Sequence, residues 1–255
     1  MICLAPPIAD FSARHRFKTK ELSEGLMEQI EEIKKRTAEC ALELVRDGQV
    51  IGLGTGSTAK YAIEGLARRV GEGLSVRAVP TSIGTERMAR ALGIPLLELN
   101  EAGSIDITFD GADEVDPDFN MIKGGGGALT REKLVALASI KRVILVDESK
   151  LVSRLGQSRL LPIEVLPFSW AFSARLLTSL GCVANLRLDP GGQPFVTDNG
   201  NHILDCAFGP IDDAGALEKR IKLLPGVIES GLFIGIADSL VIGFEDMVET
   251  RERPS

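Results

Sequence analysis

Five short apolar runs, QVIGL, VRAVP, IPLLEL, IDITFD and RVILVD, are spaced between Gln49 and Asp147, and most are separated by stretches of helical spacing: AKYAIEGLARRV, TERMARAL and ALTREKLVALAS. Uninterrupted apolar strands that alternate with helices imply parallel strands covered on both faces. The expected architecture is therefore α/β, a Rossmann-like, mostly parallel sheet with helices on both faces. In an open sheet of this kind ligands bind beyond the carboxyl ends of the strands. That directs attention to the loops after QVIGL, VRAVP and IDITFD.

The pattern changes near Leu161. IEVLP, the amphipathic WAFSARLLTSL, VANLRL, the turn DPGGQ, PFVTDNG, HILDCAF, the helical DAGALEKRIKLL and VIESGLF follow one another. Strand, helix, hairpin, helix and strand in that order describe a smaller inserted α+β unit of ferredoxin-like type. Residues 157–233 are assigned to it. Residues 27–156 and 234–255 are assigned to the Rossmann-like domain, to which DSLVIGFED returns one more strand. The first helical pattern begins near Met27, with Ile30, Ile33, Ala38, Ala41, Leu42 and Val45 on one face. Residues 1–26 lack a clear apolar segment or cleavage signal and read as a disordered extension.

Composition removes several classes of function. A net charge of -7 leaves no basic surplus to displace counterions from a nucleic acid. No apolar run approaches the roughly 18 residues that a membrane span requires. Cys3, Cys40, Cys182 and Cys206 are widely separated and form no CxxC pair. This argues for buried, inert thiols in a reducing cytoplasm rather than a zinc site or a disulfide framework. The only histidines are His15 and His202. Proton transfer is accordingly assigned to carboxylates and lysines.

Four loops carry candidate chemistry. GLGTGST, Gly52 to Thr58, closes a strand and opens a helix. The amides of Gly56, Ser57 and Thr58 and the hydroxyls of Thr55, Ser57 and Thr58 outline a phosphate cradle. An ordinary turn with Ser57 or Thr58 as N-cap is the simpler alternative. A dinucleotide site would need an acid after the next strand, where Pro80, Thr81 and Ser82 stand instead, and no Lys-Ser/Thr pair completes a Walker loop. TSIGTE reads either as a cap for a helix beginning near Glu86 or as further ligand contacts. DGADEVD, Asp110 to Asp116, clusters four carboxylates at a strand end. Such clustering raises pKa values or binds cations, and leaves a Mg²⁺ site open. Some of these acids would handle sugar hydroxyls, with Glu114 and Asp116 solvated. In IKGGGGALTREKL, the glycine amides can form an anion nest beside Lys123. Glu132, on a small-residue face one turn beyond Ala128, is a candidate base there; a surface glutamate in a charged turn is the plainer reading.

GTGST, DGADE, KGGGGALTREK and VTDNGN, in this order and spacing, resemble ribose-5-phosphate isomerase of the A type from Met27 to about Asp246. The departures are the extension, a fourth glycine at Gly127 and the TSIGTE loop. The resemblance implies interconversion of ribose 5-phosphate and ribulose 5-phosphate in the pentose phosphate pathway without metal or organic cofactor. It implies that Glu132 moves a proton between C2 and C1 and that Asp110 and Asp113 contact the sugar and assist ring opening. It also implies that Lys123 with Gly124, Gly125 and Gly126 stabilises the enediolate oxygen. Thr55, Gly56, Ser57, Thr58, Gly111, Ala112, Lys150 and Lys34 would complete the substrate site, Lys150 at the phosphate. A cytoplasmic homodimer or tetramer is also implied. A related isomerase or lactonase, and a non-catalytic sugar-phosphate sensor, remain as alternatives at this level.

Overall fold

The computed structural model describes residues 11–253, with side chains from Met27 onward. Its central sheet has six strands: β1 (Val50–Leu53), β2 (Arg77–Pro80), β3 (Ile105–Asp110), β6 (Ser139–Asp147), β12 (Ser239–Gly243) and β13 (Val248–Glu252). Their order is β13-β12-β6-β3-β1-β2, parallel throughout except for the antiparallel edge strand β13. From β1 the chain winds outward to β2, then returns to place β3 on the other side of β1 and continues through β6 to β12. The direction of winding reverses between β1 and β3, which is where such a sheet opens a crevice at its carboxyl edge.

Helices α1 (Phe11–Leu42) and α2 (Ser57–Gly71) pack on one face, where Ala38, Leu42, Ile63 and Leu66 meet Ile51, Ile107 and Leu145. Helix α3 (Ile83–Ala91) joins this layer through Ala89. The opposite face is covered by α4 (Leu129–Leu137), whose Leu129 and Ala136 pack with Ile144, Leu240 and Ile242. The expectation for the helical start needs correction. Residues 1–10 lie outside the described residues, but α1 begins at Phe11, well before Met27.

Two further sheets complete the molecule. β7 (Leu161–Val165), β8 (Val183–Leu186), β9 (His202–Ala207) and β10 (Val227–Ser230) form an antiparallel sheet in the order β10-β7-β9-β8. With α5 (Trp170–Thr178) after β7 and α6 (Ala214–Lys222) before β10, this is the expected ferredoxin-like βαββαβ unit. Its own core contains Leu161, Ile163, Leu177, Leu204 and Ile221, and the buried free thiols of Cys182 and Cys206 belong to it. Cys40 is half-buried, and Cys3 lies outside the described residues.

The third sheet is small. β4 (Glu114–Val115) pairs with β5 (Met121–Ile122), which pairs with β11 (Leu232–Phe233). It brings the segment after β3, the glycine segment and the returning chain into one ladder, extended where the Lys123 amide donates to Gly231 O at 2.9 Å. IPLLEL, expected as a strand, makes only an isolated bridge between Leu96 and Ala78. No described helix is long and apolar enough to cross a membrane.

Candidate active site

A cavity of about 540 Å³ opens at the carboxyl edge of the central sheet, walled by the loops after β1, β3 and β6, by the glycine loop, and by α1. Its shape follows from the crevice between β1 and β3. Gly54 lies so close to β3 that a Cβ there would come 2.3 Å from Asp110 Oδ1. Only glycine permits that approach, and it lets the Thr55 amide donate to Asp110 Oδ1 at 3.1 Å.

Helix α2 begins with Gly56 as its N-cap and without any side-chain cap. The turn with Ser57 or Thr58 as N-cap is thereby set aside. The first helical bond runs from Lys60 N to Gly56 O, so the amides of Gly56, Ser57 and Thr58 have no helical partner. The Ser57 and Thr58 hydroxyls make no hydrogen bond with other described residues, and both line the cavity. Thr55 lines the cavity, while its hydroxyl lies 2.9 Å from Thr81 Oγ1 and Ser82 Oγ and 3.1 Å from Thr85 Oγ1 and so knits loops together. TSIGTE is a cap after all, since Ser82 accepts from the Thr85 amide at the start of α3.

The acids after β3 separate into distinct environments. Asp110 is 3% exposed and does not line the cavity. Its oxygens accept from the amides of Thr55 and Gly111, and Oδ2 lies 3.0 Å from Lys123 Nζ. The carboxylate is held by these three donors at the edge of the cavity, next to Gly111, which lines it. Asp113 does reach the cavity, with Oδ2 accepting from the Gly125 amide at 2.8 Å and Oδ1 without a hydrogen bond among the described residues. Glu114, expected to be solvated, is fully buried. It accepts from the amides of Gly156, Ser158 and Arg159 and from the Ser158 hydroxyl, and so clamps the entry to the small unit. Asp116 closes its own turn by accepting from the amides of Asp118 and Asn120. Among the described residues no group of three or more His, Cys, Asp or Glu side chains is placed to hold a metal ion.

Lys123 and Glu132 form the centre of the site. Lys123, 3% exposed, donates to Gly111 O and lies 3.0 Å from Asp110 and 3.4 Å from Glu132 Oε2. Burial alone would lower the Lys123 pKa, but the Asp110 and Glu132 carboxylates outweigh it and hold the ammonium charged. Glu132 is 5% exposed, and its Oε2 has neither water access nor a hydrogen bond. Burial pushes the carboxyl up to about 8, opposed by Lys123 and assisted by Asp110 and Asp113. Asp110 is raised in the same way by burial, against Lys123. The surface reading of the TREK turn is excluded by these positions.

The remaining expected residues are brought to the same cavity. Gly111, Ala112, Gly124, Gly125 and Gly126 line it, with Gly124 and Gly127 at φ of 103° and 82°, a left-handed conformation suited to glycine. Lys150, after β6, has no salt-bridge partner among the described residues, whereas Lys34 on α1 is paired with Glu31 at 2.6 Å. His202 lies in β9 with Nδ1 3.1 Å from Phe195 O, away from the cavity.

Residues 77–247 match the family model described as ribose 5-phosphate isomerase A, also called phosphoriboisomerase A. A ribose-5-phosphate isomerase A of Desulfatibacillum aliphaticivorans is 49% identical over 216 residues, covering 84% of this chain and 94% of its own. The corresponding protein of Gloeobacter violaceus is 51% identical over 218 residues, covering 85% and 94%. This chain belongs to the ribose-5-phosphate isomerase A family. Among solved members, the structure from Methanocaldococcus jannaschii superposes with a TM-score of 0.83 at 44% identity, covering 87% of this chain and 99% of that one. A D-ribose-5-phosphate isomerase in complex with phospho-erythronic acid gives 0.85 at 42% identity, covering 88% and 99%.

Several residues that build the isomerase-family site escaped the sequence. Buried Glu164 on β7 accepts from Thr130, Thr197, Asn199 and Asn201, and Arg131 donates to Asn199 Oδ1 at 2.8 Å. VTDNGN thus braces the first turn of α4, on which Glu132 stands. The motif was visible, but the glutamate it surrounds had no local signal.

Proposed function

We infer that this chain interconverts D-ribose 5-phosphate and D-ribulose 5-phosphate through an enediolate, as an aldose-ketose isomerase of the non-oxidative pentose phosphate pathway. One observation carries the mechanism: the buried Glu132 side chain lines the cavity with its carboxylate unbonded among the described residues, 3.4 Å from a lysine that its neighbours keep charged. A carboxyl with a pKa near 8 loses its proton within the physiological range and binds a substrate proton firmly when it takes one, which is the balance a general base requires.

In the open-chain aldose, the Glu132 carboxylate removes the C2 proton. The C–H electron pair forms the C1–C2 double bond, and the carbonyl pair moves onto O1. Lys123 and the amides of the glycine loop stabilise that oxygen without having to reorganise. Transfer of the O2 proton to O1 and return of the proton from Glu132 to C1 give the ketose. Asp113, with one free oxygen in the cavity, serves ring opening. Asp110 acts through Lys123, whose charge it maintains. The free amides and hydroxyls at the start of α2, with Lys150 and Lys34, receive the phosphate. Phospho-erythronic acid, bound by a relative, has a carboxylate whose two oxygens mimic O1 and O2 of an enediolate. That supports the same use of this site.

Assembly as a homodimer, a cytoplasmic location, independence from metals and the division at residues 157–233 belong to the same proposal. The test is formation of ribulose 5-phosphate by protein pretreated with EDTA, with Glu132→Gln alongside. Conversion by wild type alone is expected; binding of ribose 5-phosphate without conversion by wild type would favour a sensor.

A further inference from the structure

Arg187 follows β8 in the small unit and does not line the cavity. Its Nη1 donates to Gly124 O at 2.9 Å and to Gly125 O at 3.0 Å. The rest of the guanidinium is held by Asp205 on β9, which accepts from Nε at 2.9 Å and also from Nη2. Phe195 lies beside the guanidinium, 5.8 Å from ring centroid to Cζ, and packs against Gly127, where a Cβ would come 2.5 Å from the ring. One end of the glycine loop is thus gripped from outside by a side chain that is itself fixed.

A trans peptide points its carbonyl and its N–H in opposite directions. Holding Gly124 O and Gly125 O on the outer side therefore turns the amides of Gly125 and Gly126 inward. The Gly125 amide is found on Asp113 Oδ2 at 2.8 Å. The Gly126 amide makes no hydrogen bond among the described residues, and Gly126 lines the cavity. We propose that Arg187, anchored by Asp205, is a positioning residue that fixes the Gly126 amide for the enediolate, and the Gly125 amide on Asp113, without touching the substrate. The arginine's charge, drawn to those carbonyls, also strengthens the two amides as donors. This rests on the isomerase reading, since it assigns an oxyanion to the loop.

Lysine cannot hold a carboxylate bidentately and span two carbonyls at once. Arg187→Lys and Arg187→Met are therefore compared with wild type and with Asp205→Asn. Displacing donors from a developing oxyanion lowers kcat by roughly 10²-fold. The expected result for Arg187→Met is a fall of that order in kcat with KM changed less than about threefold. Arg187→Lys should be intermediate if Met fails to fold. Affinity for phospho-erythronic acid, measured by calorimetry, should fall in parallel with kcat while affinity for inorganic phosphate is retained. A merely structural arginine would weaken both ligands together or neither. Unchanged kcat in a folded Arg187→Lys or Arg187→Met protein, or loss of both ligands together, would overturn the assignment. Wild type without isomerase activity would instead remove the reading on which it rests.

Discussion

Two buried lysines stand close to Phe233, with Lys123 Nζ 5.5 Å and Lys133 Nζ 4.9 Å from its ring centroid. Each is close to two carboxylates. Lys133, 5% exposed, donates to Glu218 at 3.0 Å, to Glu229 at 2.8 Å, and to the carbonyls of Ser230 and Leu232 at 3.0 and 2.7 Å. Both carboxylates beside it are paired, and the Glu229 carboxyl, despite its own burial, is held below its usual range by Lys133 and Lys222. Around Lys123 the balance differs. Asp110 is satisfied, but Glu132 is left without a hydrogen bond and its pKa is raised. The ingredients are the same, and the remaining valence beside a cavity separates a reactive cluster from a structural one.

The largest expected effect tests the reactive side. Glu132→Gln should keep its fold and its affinity for ribose 5-phosphate while turnover falls by roughly 10²- to 10⁴-fold. Steady-state kinetics with circular dichroism on the same sample would measure both.

The two lysines should then fail in opposite ways. Lys123→Met should lose about 10²- to 10³-fold in kcat, since it removes an oxyanion donor. Its stability should change less, because Asp110 and Glu132, already raised, can take up protons. Lys133→Met should lose about 3 kcal/mol of stability, as two carboxylates and two carbonyls lose a buried partner. Its folded fraction should keep near-normal turnover. Urea unfolding and kinetics on both variants would merge the two clusters into one if these losses proved alike.

A smaller effect is expected at Glu114, which is also buried and fully bonded. Glu114→Gln retains one oxygen but brings an amide to a site of four donors, so about 1–3 kcal/mol of stability should be lost with kcat unchanged. Equal loss of kcat would place this clamp in the catalytic machinery.

A further expectation concerns pH. Glu132 is raised from 4.5 to about 8, so between those values the native protein holds a proton that the unfolded chain has released. Stability contributed by that group is therefore present at the acid end and declines as pH rises through the window. The melting temperature of Glu132→Gln relative to wild type should rise across the same window. A flat difference would show a carboxyl with an ordinary pKa.

What the sequence disclosed followed from locality. Apolar runs, glycine turns and strand-to-helix loops are local, so the central sheet, the ferredoxin-like unit, the α2 loop and the glycine loop could be read directly. IPLLEL failed because composition alone does not supply a neighbouring strand. β4, β5 and β11, two residues each, are too short to show a period. The charged residues failed for a different reason. Glu114 finds its donors 42 to 45 residues away, Lys133 its acceptors 85 to 99 away, and Arg187 its glycine carbonyls 62 and 63 away. For Asp110, too, only tertiary packing reveals the three donors around its carboxylate.

The most direct test of Glu132 as the base is single-turnover conversion of ribose 5-phosphate deuterated at C2. Wild type should break the C2–D bond with a primary isotope effect and deliver part of the label to C1 of ribulose 5-phosphate. Glu132→Gln, saturated with the same substrate, should leave the label in place. Release of the label by that variant at a rate near wild type would contradict the account.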